Sequence, residues 1–317
     1  RNHSSAASDV YKRQIESFRP GVMQKLGLDY ENISKINSRL IYISLTGYGQ
    51  NGAYAQEAGH DLNYIGRAGI LHATGHQDEK PTIPAVQIAD IAGGSYSTLS
   101  ACLLALYQRE RTGKGSYIDL SMLDASLPFM SLQYASFQAT GKQAKRGEDL
   151  LSGALPNYNV YECSDGKFVA LGALEPKFWK RFCESVNRLE WLKVSLNDKK
   201  NLEKIKQELT VLFRSKTQVE WLVLAQKVDM CLTAVNDLEA VSKDKHLHSR
   251  KMFVQHQHEV YGNIKSIGNP IKIKDELENK GWAAPLLGED TEAILKELGY
   301  DKNDVLALEK DGVINNF

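Results

Sequence analysis

An α/β fold, in which a parallel-sheet layer is followed by a smaller α+β domain, is what the sequence predicts, on three observations. Leu40-Ile41-Tyr42-Ile43-Ser44-Leu45 is an apolar, β-rich run that stops at Gly47 and Gly49. A stretch of helical period and then a second short run, Tyr117 to Leu120, come after it. From Asn157 the pattern changes to that of a hairpin.

The first run reads as a buried strand feeding a functional turn, because branched and aromatic residues fill it and glycines end it. A helix is expected from about Gly59. Between Ser95 and Arg111, Leu99, Cys102, Leu103 and Leu106 share one face of a helix that packs on the sheet, and Gly113-Lys114-Gly115 terminates it. Tyr158 to Tyr161 and Phe168 to Leu171 flank Ser164-Asp165-Gly166-Lys167, a turn signal between two strands. Helices follow around Leu202 to Phe213, from Thr217 to Lys227, where Thr217 and Glu220 have capping-box spacing, and from Glu289 to Leu298, closed by Gly299. Residues 1–14 have no strand or helical period and resemble a non-family tail, so they are set aside from the fold.

The 317 residues, 42% of them hydrophobic, are enough for a large core and suit two domains. Lys plus Arg and Asp plus Glu are 39 each, so the chain lacks the basic field of a nucleic-acid binder. Cys102, Cys163, Cys183 and Cys231 are scattered without a C-x-x-C pair, which reads as free thiols in a reducing compartment. No run is apolar for the roughly 18 to 20 residues a membrane span requires, and a cytoplasmic protein is expected. His246/His248 and His256/His258 form H-x-H pairs in a charged stretch without nearby thiols, so no metal is assigned.

Three residues stand out for chemistry. His60 follows a glycine at a helix start, where the backbone dipole favours the neutral imidazole that accepts protons; a surface or cap histidine is the ordinary alternative. Asp90 precedes Gly93-Gly94, as a capping residue does, yet amides at such a start could also hold an oxyanion, with the glycines letting substrate approach. Glu175-Pro176 opens another helix, where an acidic residue before proline is common.

Ala58-Gly59-His60-Asp61-Leu62-Asn63-Tyr64, Asp90-Ile91-Ala92-Gly93-Gly94 and Glu175-Pro176 together resemble the family III CoA-transferase (CaiB/BaiF) superfamily, and within it the α-methylacyl-CoA racemase branch. Arg19-Pro20-Gly21-Val22, Thr46-Gly47-Tyr48-Gly49 and Ala284-Pro285-Leu286-Leu287-Gly288 extend the likeness from about Ile15 to the end. The resemblance implies a large Rossmann-like domain from residues 15–150 and 270–317, a small α+β domain from 155–265, and an interlocked homodimer. Relatives place an opening β-α-β region before Ile15, so poor folding or low activity is expected of the chain as it stands.

The resemblance also implies an isomerase acting on 2-methylacyl-CoA thioesters. His60 and Asp90 would exchange one proton across the α-carbon, and Glu175 would steady the imidazole. Ser17, Phe18, Arg19, Lys25, Gly59, Asp61, Leu62, Asn63 and Tyr64 would bind the acyl-CoA. The CoA is part of the substrate, and no other cofactor is expected. Asp90 should sit in a largely dry pocket, where burial raises its pKa, since an ordinary aspartate near 4 is a poor proton reservoir. CoA transfer with Asp90 as nucleophile is the alternative, although the transferase branch generally lacks the histidine. An inactive CoA-binding remnant is a third reading.

Overall fold

The computed structural model describes residues 13–143, 145–258, 260–274 and 284–314. Contacts divide the chain into two compact units after Ala234, within the stretch read from the sequence as one small domain.

The first unit begins with β1 (Arg13–Glu16), α1 (Tyr30–Ile36) and β2 (Ile41–Thr46). After α2 (Asp61–Arg67), a wide π-helical segment, Ala89–Tyr96, runs into α3 (Ser97–Thr112), followed by β3 (Ser116–Ser121) and α4 (Met122–Ser126). The strands form one parallel sheet in the order β1-β2-β3. The central strand β2 buries Ile41, Tyr42, Ile43 and Ser44 in succession, as a parallel strand covered on both faces should.

Two expectations need correcting. Arg13 and Gln14, set aside as tail, pair with Ile41 and Tyr42 in β1, so the sheet starts inside that segment; backbone pairing in a four-residue strand needs no side-chain period. The rest of the segment lies outside the described residues. The expected helix from Ser95 starts earlier, at the wide turn, and turns a different face inward. Cys102, Ala105 and Leu106 pack with Ile41 and Ile43, whereas Leu99 and Leu103 are 47% and 57% exposed. The helix is apolar around much of its girth, with Leu104 and Tyr107 exposed as well, so its pattern marks a helix without marking the covered side.

Gly113 ends α3 in the left-handed conformation, at φ 72°, as expected. Further along, α5 (Ser131–Thr140) precedes the antiparallel pair β4 (Tyr158–Glu162) and β5 (Phe168–Gly172). Gly166 turns this hairpin with φ 72°. Next come α6 (Pro176–Ser185), α7 (Lys199–Phe213), α8 (Gln218–Lys227) and β6 (Leu232–Ala234), which pairs with β5. Val169, Phe182, Leu209, Phe213 and Trp221 are sealed between these helices and the sheet. The capping box forms as read: Thr217 N donates to Glu220 at 2.7 Å and Glu220 N to Thr217 Oγ1 at 3.3 Å, a cap worth about 1 kcal/mol.

The second unit holds the hairpin β7 (Phe253–His258) and β8 (Gly262–Ile267), then α9 (Thr291–Glu297) and α10 (Lys302–Lys310). Gly299, at φ 90°, follows α9 as the sequence indicates. Three histidines of the H-x-H pairs make local hydrogen bonds: His248 Nε2 with Ser242 O at 2.8 Å, His256 Nε2 with Ser266 Oγ at 2.9 Å, and His258 Nδ1 with the Val260 amide at 3.0 Å. All four cysteines are free. Among the described residues no helix is long and apolar enough to cross a membrane.

Candidate active site

The carboxyl ends of the three parallel strands meet at a cleft, the usual place for a ligand on such a sheet. Its volume is about 290 Å³, and Ser17, Phe18, Arg19, Gly59, His60 and Tyr64 are among the residues that bound it. Ser17 to Arg19 leave β1 here, and the buried Glu16 carboxylate accepts the Phe18 amide at 2.9 Å, which shapes that exit.

Within Gly59-His60-Asp61-Leu62-Asn63-Tyr64 each residue has a distinct task. Tyr64 is a buried pillar: its hydroxyl donates to Gly59 O at 2.6 Å and its ring meets Tyr48 edge-on at 5.1 Å. Gly59 must lack a side chain, because a Cβ there would lie 2.7 Å from both the Tyr48 hydroxyl and the Tyr64 ring. Asn63 Oδ1 accepts the His60 amide at 3.0 Å, and the Asn63 and Tyr64 amides return to His60 O at 2.8 and 3.2 Å. These bonds fix His60 as the cap of α2 and leave it exposed on the cleft. Leu62 is exposed beside it.

Asp61 points elsewhere. Only 9% exposed, it accepts the Ala89 amide at 2.6 Å and the Asp90 amide at 3.1 Å on the same oxygen, Oδ1. It thereby caps, from another helix, a segment whose own capping residue, Ile88, has no polar side chain.

Asp90 lies half-buried at the start of that wide turn. Burial is the main influence raising its pKa above the ordinary carboxylate value; the Asp61 charge raises it further, and His60 pulls it down. The direction is the one that proton delivery requires. His60 and Asp90 are therefore near enough to feel each other's charge.

The oxyanion reading of this turn does not survive. Its Ala89 and Asp90 amides are taken by Asp61, and the Ile91 amide by Gln87 O at 3.0 Å. Gly93 and Gly94 serve packing rather than substrate approach: a Cβ on Gly93 would lie 2.6 Å from Ser126 Oγ, and one on Gly94 3.2 Å from Met122 Cγ. The glycines let α4 press against the turn that carries Asp90.

Glu175 is not brought to this cleft within the chain. It caps α6 in the antiparallel layer, where its charge raises the pKa of Cys231, whose main influence is burial; among the described residues it is not one of the groups acting on Asp90. Lys25 closes the short turn Val22–Lys25 outside the cleft, whereas Arg19 borders it. Sequence reasoning missed Arg67 at the end of α2. Its guanidinium lies 3.7 Å from the centre of the Tyr54 ring and pairs with Glu57 at 2.7 Å, clasping the loop that forms one cleft wall. The signal was present in two tyrosines and an arginine, but only the loop's path joins them.

Comparison with known proteins gives the family. Human alpha-methylacyl-CoA racemase is 32% identical over 305 residues, covering 95% of this chain and 78% of its own length. Mouse succinyl-CoA:glutarate CoA-transferase is 30% identical over 319 residues, covering 98% and 71%. The crystal structure of a CaiB/BaiF family protein from Brucella suis superposes with a TM-score of 0.75 at 30% identity, covering 90% of this chain and 75% of that one. The model of CoA-transferase family III matches residues 6–291, taking in part of the segment set aside as tail. By that match, by relatives aligned over most of its length and by a parallel α/β layer of the same fold, the chain belongs to CoA-transferase family III.

Proposed function

We propose that the chain is an isomerase that interconverts the R and S forms of a 2-methylacyl-CoA by moving one proton on and off the α-carbon. The observation that carries this reading is the pairing of two unlike proton carriers, His60 and Asp90, at adjoining helix starts, with the Asp90 pKa raised. For one enantiomer neutral His60 removes the α-proton and protonated Asp90 delivers one to the opposite face. For the other, the roles reverse, and the pair holds one proton throughout. The thioester oxygen gains charge as the enolate forms. We assign its donors to the Asp61 and Leu62 amides, which precede the first amides used within α2, those of Asn63 and Tyr64. The reading calls for no cofactor beyond the CoA of the substrate, which Ser17, Phe18 and Arg19 would meet at the cleft edge.

CoA transfer between carboxylic acids is the second reading, favoured by the likeness to the mouse transferase. Asp90 would then attack the acyl carbon to form a mixed anhydride and release CoA thiolate, which attacks the Asp90 carbonyl to give an enzyme thioester and free the first acid; the acceptor carboxylate takes up the CoA by the reverse steps. His60 favours the first reading, since transfer gives it no proton to move. Incubating one enantiomer with and without succinate separates the two: racemisation independent of succinate is expected, and CoA transfer to succinate without α-proton exchange would overturn the proposal.

The same reading includes a cytoplasmic homodimer. In it Glu175 reaches the His60 site of a second copy. Exposed Leu99, Leu103, Leu104 and Tyr107 on α3, with Leu132 and Tyr134 on α5, offer apolar area for such an interface. If sites are shared, mixing inactive His60→Ala with the impaired Glu175→Ala protein after partial unfolding and reassembly should produce about a quarter of wild-type activity from intact sites, above what either variant contributes, because half the dimers are mixed and each has one intact site. Activity no higher than the average of the two variants would place Glu175 in the same copy as His60.

A further inference from the structure

The shared oxygen of Asp61 ties the two helix starts of the site together. Its backbone belongs to α2, directly after His60, while its carboxylate accepts the amides of Ala89 and of Asp90 itself. The bonds are 2.6 and 3.1 Å long, and the side chain is almost fully buried. A charged acceptor in so dry a position makes strong bonds and leaves little freedom. The wide turn has no side-chain cap of its own, so Asp61 is what fixes where Asp90 begins.

We propose that Asp61 is a positioning residue, whose carboxylate holds Asp90 in register with His60 through the Ala89 and Asp90 amides and does not itself bind the acyl-CoA. This inference rests on the racemase reading. In a two-base transfer the α-carbon must sit between base and acid, and displacement of one carrier by about 1 Å can cost about 100-fold in rate. A link one residue from the base to the amide of the acid sets that spacing with the fewest intervening bonds. Among the described residues, the titratable groups acting on Asp90 are Asp61 and His60, and the Tyr64 phenol feels Asp90 in turn; all three belong to the start of α2. The Asp61 charge also opposes ionisation of Asp90, which keeps a proton available for delivery.

Two variants separate geometry from charge. Asp61→Asn keeps a carbonyl oxygen for the two amides and removes the charge; Asp61→Ala removes both. For Asp61→Ala we expect kcat to fall about 100-fold with KM within about threefold of wild type, and for Asp61→Asn a return to within about tenfold. Because loss of the negative charge lowers the Asp90 pKa, the acid limb of the Asp61→Asn rate profile should move to lower pH. The carboxyl carbon resonance of Asp90, identified by its absence in Asp90→Asn, should titrate lower in Asp61→Asn by direct observation. Unchanged kcat with raised KM in Asp61→Ala would show that the carboxylate binds substrate. An Asn variant as slow as the Ala variant, or an unmoved Asp90 titration, would also overturn the proposal. If Asp61→Ala fails to fold, the Asn variant decides alone. If the wild type shows no α-proton exchange, the racemase reading fails, while the Asp90 titration still reports whether Asp61 governs it.

Discussion

Asp90→Asn is expected to slow racemisation by about 1,000-fold, and His60→Ala by a similar factor, since each removes one of two proton carriers. Folding should be spared in the aspartate variant. Asparagine has nearly the same shape, residue 90 is half-buried, and the turn is held through backbone amides that Asp61 accepts. Its unfolding free energy should therefore stay within about 1 kcal/mol of wild type. Chiral analysis of the thioester, with each enantiomer followed separately in deuterated water, is the check, because one surviving base still supports exchange from its own face. Glu175→Gln should be milder, as it removes an orienting group rather than a proton carrier. Near-normal racemisation by Asp90→Asn would end the two-base scheme.

Gly47→Ala should give a large loss of stability from a single added methyl. Its Cβ would fall 2.4 Å from two ring carbons and the hydroxyl of Tyr64, whose ring is buried and set edge-on to Tyr48 and whose hydroxyl is bonded to Gly59 O. The ring cannot retreat without breaking that bond, so a cost of about 3 kcal/mol is expected. Gly66→Ala is the matched control. It lies within α2, where the nearest atom to a new Cβ is 3.9 Å away, and alanine should stabilise the helix by up to about 1 kcal/mol. Urea midpoints of the two variants should move in opposite directions. A Gly47→Ala protein as stable as Gly66→Ala would show that Tyr64 is not the pillar of the His60 loop.

Local signals in this chain were legible where one physical cause acts alone. The Ser164 to Lys167 turn, the Thr217 cap, and the glycines after α3 and α9 each follow from backbone chemistry over a few residues, and each is in place. The parallel order of β2 and β3 followed from the helix between them. Harder to read was whatever depends on a distant neighbour. The leucines of α3 recur correctly, yet the sheet covers the Ala105 side and leaves Leu99 and Leu103 exposed. Gly93 and Gly94 suggested close approach of a ligand, and the close approach is that of α4. Asp61 was grouped with substrate contacts through the motif it shares with His60, and its side chain, that of the first helical residue, turns inward to the Ala89 turn. That link joins residues 28 positions apart in sequence, and no local pattern announces it.

The central claim is that His60 and Asp90 move a proton at carbon, and the fate of that proton tests it most directly. A single enantiomer of a 2-methylacyl-CoA, incubated in deuterated water with the protein and no acceptor acid, should yield both enantiomers with deuterium at the α-carbon. Retention of configuration and of the α-hydrogen, with CoA passing to another acid when an acceptor is added, would contradict it.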